Sequence, residues 1–205
     1  MELQKTLVTA GVAFLILVSA TYLSYQHTKS RTPQIILPGG VSYLGPSTTP
    51  APRATATGKI PVPDTASWAT WKGQRYPYAF SYPSSLSLGF FPNDPFDAVT
   101  IFWKDTNPQE NLLLRVEQAK GPKRTYVENW WKQYNYAGIA SVEEFTTTQG
   151  LKGYRAGFKD QTGNVAYEQV FLEVPGKPEL IIWMSQKLLD KPIFDRIVDS
   201  LSWVK

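Results

Sequence analysis

The chain has 205 residues, a formal net charge of +4 and a sequence pI of about 9.1, and this length predicts one domain with appendages. It contains no cysteine and a single histidine, His27, which excludes disulfides, thiolate chemistry, Ser-His-Asp triads and histidine-ligated zinc from the globular part. Residues 1–65 carry five basic and two acidic side chains, whereas the remainder carries 16 and 15. The nearly neutral remainder therefore lacks the charge pattern of a nucleic-acid-binding protein.

The first predicted element is a membrane anchor. Residues 6–26 are uncharged and mostly apolar, and a helix of that length spans about 30 Å, the thickness of a hydrocarbon core. A signal-peptide core is usually only about 7–15 residues long. Residues 1–28 are therefore predicted to form an uncleaved anchor that contacts the membrane through residues 6–26. Cleavage after Ala20 is the alternative, because Val18 and Ala20 fit a small-residue cleavage pattern.

The side of the membrane on which the domain lies is the next question. Lys5 and the α-amino group stand before the apolar segment, and Lys29 and Arg31 stand after it, so charge counting does not decide the orientation. Long C-terminal domains translocate largely regardless of charge. We therefore expect a single-pass membrane protein with its N-terminus in the cytoplasm and its domain in the cell envelope.

A linker is predicted at residues 29–65. It holds seven of the chain's 16 prolines together with many Ser and Thr residues, and cannot bury enough apolar surface to offset its ordering entropy. As a coil it would hold the domain roughly 35 Å from the membrane. The stretch QIILPGGVSYLG, residues 34–45, is more apolar. It is read as an unstructured patch or a short strand laid on the domain, or alternatively as a recognition segment that adds to another protein's sheet edge.

From residue 66 the composition is that of a globular domain, since all seven tryptophans lie beyond this point. Short runs rich in Val, Ile, Phe, Tyr and Thr, bounded by Gly, Pro, Asn and Asp, predict strands. The run LIIWM is continuously apolar, as in a strand that is buried on both faces. The predicted strands are Tyr78–Tyr82, Leu86–Phe91, Ala98–Trp103, Asn111–Gln118, Val142–Thr148, Leu151–Lys159, Val165–Val174 and Glu179–Ser185.

Two helices are predicted in RTYVENWWKQY and in DKPIFDRIVDSLSW, where apolar residues recur at helical spacing. Asp190 is the expected N-cap of the second helix, and Pro192 is tolerated in its first turn. Residues 66–205 are therefore predicted to form an α+β domain, an antiparallel meander with one inserted helix and one terminal helix. The apolar positions are Val127, Trp130, Trp131 and Tyr134 in the first helix and Ile193, Phe194, Ile197, Val198 and Leu201 in the second.

Two motifs frame this domain, an aromatic-x-Phe-x-Tyr-Pro stretch at its start and a Phe-x-x-Ile-x-x-Ser helix at its end. The matching residues are Phe80, Tyr82 and Pro83 in the first motif and Phe194, Ile197 and Ser200 in the second. Over roughly residues 75–205 the chain resembles the PsbP-like family, named for the extrinsic photosystem II protein. The resemblance implies an antiparallel sheet in an α-β-α sandwich, a fold shared with a Ran-binding nuclear-import factor. It implies no activity.

Carboxylates are the remaining candidates for acid-base chemistry or calcium binding. Asp94 and Asp97 stand close together in NDPFD, and Glu143 and Glu144 are adjacent. Asn-Asp-Pro is a common turn, NDPFD lacks the ligand density of an EF-hand loop, and the two glutamates fit the solvated start of a strand. No glycine-rich phosphate loop is present in the sequence. We therefore predict no catalytic residue, no metal ligand and no cofactor.

Trp68 and Trp71, in SWATWKGQRYPY, stand at the seam between linker and domain. Exposed aromatic rings can anchor a protein partner, so these two are the candidate partner-binding residues; the alternative is that they pack on the domain edge. The sequence thus predicts a membrane-tethered, extracytoplasmic binding or assembly module without catalytic activity and with a protein partner in the envelope. The alternatives are a secreted or envelope enzyme that uses carboxylates or a Ser-Lys pair, and a secreted ligand-binding protein released after Ala20.

Overall fold

The computed structural model describes residues 35–36, 42–43 and 58–203. Within them the chain is rich in β-structure, with two antiparallel sheets and few helices. The predicted anchor at residues 6–26 and most of the predicted linker lie outside the described residues. No helix in the described part of the chain is both long enough and apolar enough to cross a membrane.

The elements of the described residues are numbered in chain order. The strands are β1 (Ile35–Ile36), β2 (Ser42–Tyr43), β3 (Trp68–Lys72), β4 (Tyr78–Pro83), β5 (Ser87–Phe90), β6 (Ala98–Phe102), β7 (Leu112–Gln118), β8 (Gly138–Thr146), β9 (Lys152–Lys159), β10 (Glu168–Glu173), β11 (Leu180–Ser185) and β12 (Ser202–Trp203). The α-helices are α1 (Lys123–Trp130) and α2 (Lys191–Ser200), and short 3₁₀ segments occupy Pro108–Glu110 and Trp131–Gln133.

The larger sheet has nine strands in the order β2-β1-β5-β6-β7-β11-β10-β9-β8, and every neighbouring pair is antiparallel. The chain leaves β7 through α1 and reaches β8 at the far edge of the sheet. It then returns strand by strand to β11, which pairs with β7. The predicted antiparallel sheet with one inserted and one terminal helix is confirmed, and the inserted helix divides the predicted meander into two runs.

Strand β11 lies near the centre of this sheet, between β7 and β10. All six residues of its sequence LIIWMS are buried, which confirms the prediction of a strand covered on both faces. Its side chains alternate between two cores. Ile182 and Met184 belong to one core, and Ile181 and Trp183 belong to the other.

The terminal helix α2 covers one face of the nine-stranded sheet, together with a three-stranded sheet of order β12-β4-β3. Its buried residues Phe194, Ile197 and Val198 are among those that the helical spacing predicted. Asp190 stands at the N-cap position and Pro192 lies in the first turn, as expected, although the Asp190 side chain accepts no capping hydrogen bond.

Helix α1 covers the other face, where Val127 and Trp130 are buried. The sequence predicted a longer helix whose apolar face also includes Trp131 and Tyr134. Instead the α-helix ends at Trp130, a 3₁₀ segment follows at residues 131–133, and Tyr134 adopts an extended backbone with φ −131° and ψ 172°. Because this turn rotates the later residues off the helix face, Trp131 is half-buried and Tyr134 is 40% exposed.

Packing begins before the predicted domain start at residue 66. Ile60 is buried, and its N–H donates a 2.8 Å hydrogen bond to the carbonyl of Leu188. Further upstream, the backbone of β1 pairs with β2 and, through Ile36, with Phe90 of β5. This is the arrangement of a short strand laid on the domain, one of the two readings of residues 34–45.

Replacement of Phe194 by alanine tests the placement of α2. Because the side chain is completely buried, its removal should leave a cavity and lower the free energy of unfolding by about 3–5 kcal/mol. Guanidinium-induced unfolding followed by tryptophan fluorescence measures the change, with exposed Gln109→Ala as the control. A loss below about 1 kcal/mol would show that this face of α2 does not pack on the sheet.

Candidate functional site

The carboxylates of NDPFD stabilise two turns. Asp94 accepts a hydrogen bond from the Phe96 N–H at 3.0 Å and pairs with Arg115 at 3.3 Å, which confirms the predicted turn. Asp97 is 3% exposed and accepts hydrogen bonds of 2.9 to 3.2 Å from the backbone N–H groups of residues 74–76. These donors belong to the loop between β3 and β4, so the Asp97 carboxylate anchors that loop to the sheet.

A further buried carboxylate, which the sequence analysis did not single out, ties the α1 region to the sheet. Glu117 in β7 is 8% exposed. It accepts hydrogen bonds from the hydroxyls of Tyr126 at 2.8 Å and Tyr134 at 3.1 Å, and from Nε1 of Trp130 at 3.0 Å. The sequence did contain a signal for this buried contact. Arg115 and Glu117 interrupt the otherwise apolar strand β7 at alternate positions, and a helix rich in aromatic residues follows.

These contacts also keep the two tyrosine hydroxyls protonated. Burial and then the charge of Glu117 raise the pKa of Tyr134 to about 12. The same two causes raise the pKa of Tyr126. At neutral pH both side chains are therefore neutral donors to Glu117, and the cluster acts as a stabilising contact between helix and sheet.

The two candidate partner-binding tryptophans lie in β3 at different depths. Trp71 is 5% exposed, and its ring stacks on Phe80 with centroids 6.4 Å apart. Trp68 is half-buried, and the Arg196 guanidinium lies 3.9 Å from its ring centroid, in cation–π contact. Trp71 thus has almost no surface to offer a partner, and Trp68 is the accessible member of the pair.

Two of the three exposed large apolar residues within the described chain lie near β8, the terminal strand of the large sheet. Tyr134, Ile139 and Val165 are the exposed large apolar residues, at 40%, 37% and 45%. Ile139 belongs to β8, whereas Tyr134 extends toward β7, where its hydroxyl donates to Glu117. Val165 lies beside Gly157 of β9, which pairs with Ser141 of β8. No described strand pairs with the outer side of β8.

Strand β8 carries features that protect a sheet edge. It is nine residues long and has a register shift between Ile139 and Ser141, as a β-bulge produces. Glu143 and Glu144 add two negative charges in its second half. Bulges and charges of this kind discourage two copies of an edge from pairing with each other.

The two glutamates of β8 point to opposite faces of the sheet, because side chains alternate along a strand. Glu144 lies opposite Tyr154 of β9, and its carboxylate forms a 2.9 Å ion pair with Arg124 of α1. Glu143 lies opposite Arg155 of β9 on the other face of the sheet, but its carboxylate forms no ion pair within the described residues. Although Glu143 and Glu144 are adjacent in the sequence, their carboxylates therefore do not lie side by side.

A shallow pocket of about 310 Å³ opens on the Glu143 face of β8, β9 and β10. Glu143, Arg155 and Glu168 contribute charged groups to its lining. Arg155 is held in ion pairs by Glu168 and, at 2.7 Å, by Asp195 of α2. Lys191 pairs with the same two carboxylates, each at 3.3 Å.

The chain matches no family model, no curated protein and no solved structure in the comparisons. Among residues 58–203, no three His, Cys, Asp or Glu side chains are grouped so that they could hold a metal ion. The edge of β8, the exposed Ile139 and Val165 and the neighbouring pocket together form a surface that another molecule can contact.

Replacement of Tyr134 by phenylalanine should reduce the loss of stability at alkaline pH. The folded-state pKa of Tyr134, about 12, lies above its ordinary value of 10.0. Its contribution to stability is therefore fully present below pH 10.0 and is lost as the pH rises through about 12. Guanidinium unfolding across this range measures the slope, which should be shallower in the variant. Equal slopes would contradict the Tyr134–Glu117 contact.

Proposed function

We propose that this chain is a membrane-tethered binding or assembly module whose domain lies outside the cytoplasm and contacts a protein partner. One observation carries the proposal: two of the three exposed large apolar residues of the described chain, Ile139 and Val165, lie on β8 or beside its neighbour β9, and no described strand pairs with the outer side of β8. A non-catalytic role is supported by the buried carboxylates Asp97 and Glu117, whose hydrogen bonds hold a loop and a helix in place.

The proposed mode of binding is addition of a partner strand to β8. An added strand gains main-chain hydrogen bonds from the edge, and side-chain pockets beside the edge supply specificity. Ile139 lies opposite Phe158 of β9, and Phe158 belongs to the core beneath α1. Val165, in contrast, lines the pocket on the other face of the sheet. Apolar contacts are therefore offered to an added strand on both of its faces.

We also propose that the domain is a PsbP-like α-β-α sandwich. The proposal is supported by the way in which the two sequence motifs meet. Phe80 of the opening motif and Phe194 of the closing helix are both buried in one core. The Ser81 N–H also donates a 2.8 Å hydrogen bond to the hydroxyl of Ser200. Residues of both motifs thus serve one contact between β4 and α2.

The membrane tether yields a direct test. The mature protein should keep residues 1–28 and should resist alkaline extraction from membranes, because residues 6–26 are long and apolar enough to span a bilayer. Intact-mass measurement gives the N-terminus, and external protease added to spheroplasts, in which only the plasma membrane bounds the cytoplasm, should digest the domain. A mature chain that begins at Thr21, or a domain protected from external protease, would contradict the proposal.

The binding surface is tested by site-specific photocrosslinking in intact membranes. A benzophenone amino acid placed at Ile139 or, separately, at Val165 should form a discrete adduct with a protein, because both side chains are exposed beside the free edge. The matched reference position is Asp105, which is exposed in the loop after β6, on the far side of the sheet's centre from β8. It should give no such adduct.

A second reference position separates the two candidate surfaces. The same crosslinker at half-buried Trp68 probes the surface that the sequence suggested. Adducts at Trp68 but not at Ile139 or Val165 would move the binding surface to the linker side of the domain. Absence of adducts at all three positions in membranes that hold the folded protein would contradict the proposed binding module.

A further inference from the structure

We infer that the segment added to β8 is basic, and that the pocket beside Glu143 receives one of its lysine or arginine side chains. This inference rests on the proposed function and names the chemistry of the partner. The juxtaposition that carries it is a carboxylate with no ion pair among the described residues, an open pocket beside it, and the exposed side chain of Val165 in the lining of that pocket.

Charge is the first step. Glu143, Glu168 and Asp195 supply three carboxylates around the pocket, against two cations, Arg155 and Lys191. Both cations are already shared between Glu168 and Asp195. One negative charge is left in excess, and it belongs to Glu143. A cationic side chain is therefore the ligand that this site complements.

Position is the second step. Glu143 lies on the terminal strand, so a strand added to β8 would place side chains directly opposite or diagonal to it. Cross-strand neighbours lie about 4.5–5.5 Å apart at Cβ, and diagonal neighbours remain within reach of long side chains. Glu144 faces the other side of the sheet and is already in an ion pair with Arg124. The site therefore selects for charge only on the face of the added strand that contacts Glu143.

Shape is the third step. Gly157 lines the pocket between Ser141 and Val165. A Cβ atom at Gly157 would lie 3.1 Å from Ser141 Oγ and 3.2 Å from Val165 Cγ1, so glycine at this position lets these two side chains pack closely over the strand and form one wall of the pocket. Val165, at 45% exposure, offers apolar surface to the aliphatic stem of a lysine or arginine whose charged end reaches Glu143.

The test uses the full-length chain in detergent micelles and a fluorescent peptide as long as β8, nine residues, with alternating threonine and valine and a central lysine. Matched peptides carry norleucine at the centre, which keeps the aliphatic stem and removes the charge, or glutamate, which reverses the charge on a shorter stem. Fluorescence anisotropy gives the affinity. Backbone amide NMR shifts give the site, expected at residues 138–146.

The lysine peptide should bind up to about five-fold more tightly than the norleucine peptide, the upper end of what one exposed ion pair contributes. Glu143→Gln should abolish this preference. Glu144→Gln, the matched control on the adjacent residue, should leave the preference intact, and unchanged melting temperatures should confirm that both variants fold.

Three results would overturn the inference. The first is equal affinity for the three peptides or no detectable binding of the lysine peptide, and the second is a set of amide shifts outside β8 and its neighbours. The third is binding that appears only after Arg53→Ser, since the chain's own linker would then be the occupant. Adducts at Ile139 without a lysine preference would retain the proposed function and reject this inference alone.

Discussion

The burial of β11 on both faces is the constraint on which the rest of this domain depends. A strand with the sequence LIIWMS exposes no polar side to water, so the sheet around it must be covered above and below. The chain provides one cover by crossing the sheet through α1 between β7 and β8. It provides the other at its end, where α2 and the three-stranded sheet pack against the opposite face. The order of the strands follows, because β11 returns to the place beside β7 that the crossing left open.

Each cover brings polar groups into low-dielectric surroundings, and bonds to carboxylates satisfy them. Glu117 accepts hydrogen bonds from two tyrosines and a tryptophan in the α1 region, and Asp97 accepts three backbone N–H groups of the loop that leads into β4. A buried carboxylate without such donors would cost several kcal/mol. The hydrogen bonds of these two carboxylates thus hold a loop and the α1 region against the sheet.

The sequence predicted the elements whose patterns are local and redundant. The apolar run of β11 and the spacing of Phe194, Ile197 and Val198 each specify one element and its buried face, and the structure confirms both. Features that depend on contacts between residues far apart in the sequence could not be predicted from such local patterns. The pairing of β7 with β11 is set by the crossing of α1, and Tyr134 leaves the helix face because a 3₁₀ segment intervenes.

The candidate site was still harder to predict, for a related reason. Hydrophobicity marks Ile139 and Val165 as apolar but does not say that Ile139 lies on the last strand of the described sheet or that Val165 lies beside the neighbouring strand β9, where both side chains are exposed. Nor does adjacency reveal that Glu143 and Glu144 face opposite sides, since their separation depends on the strand that contains them. The Trp68 and Trp71 pair shows the converse. Their position between linker and domain suggested an exposed binding surface, but the ring of Trp71 packs inside the core.

An antiparallel sheet that is not closed into a barrel has two edges, and this sheet treats them differently. At one edge the backbone of β1 pairs with β5 and that of β2 pairs with β1, so that edge ends in a strand of two residues. At the other edge β8 stands without a partner within the described residues, protected by a bulge and two glutamates. Charges placed there for protection act against like edges through repulsion, but they act in the opposite sense on a basic segment. The same residues that keep two copies of β8 apart therefore also define the chemistry of the strand that could join it.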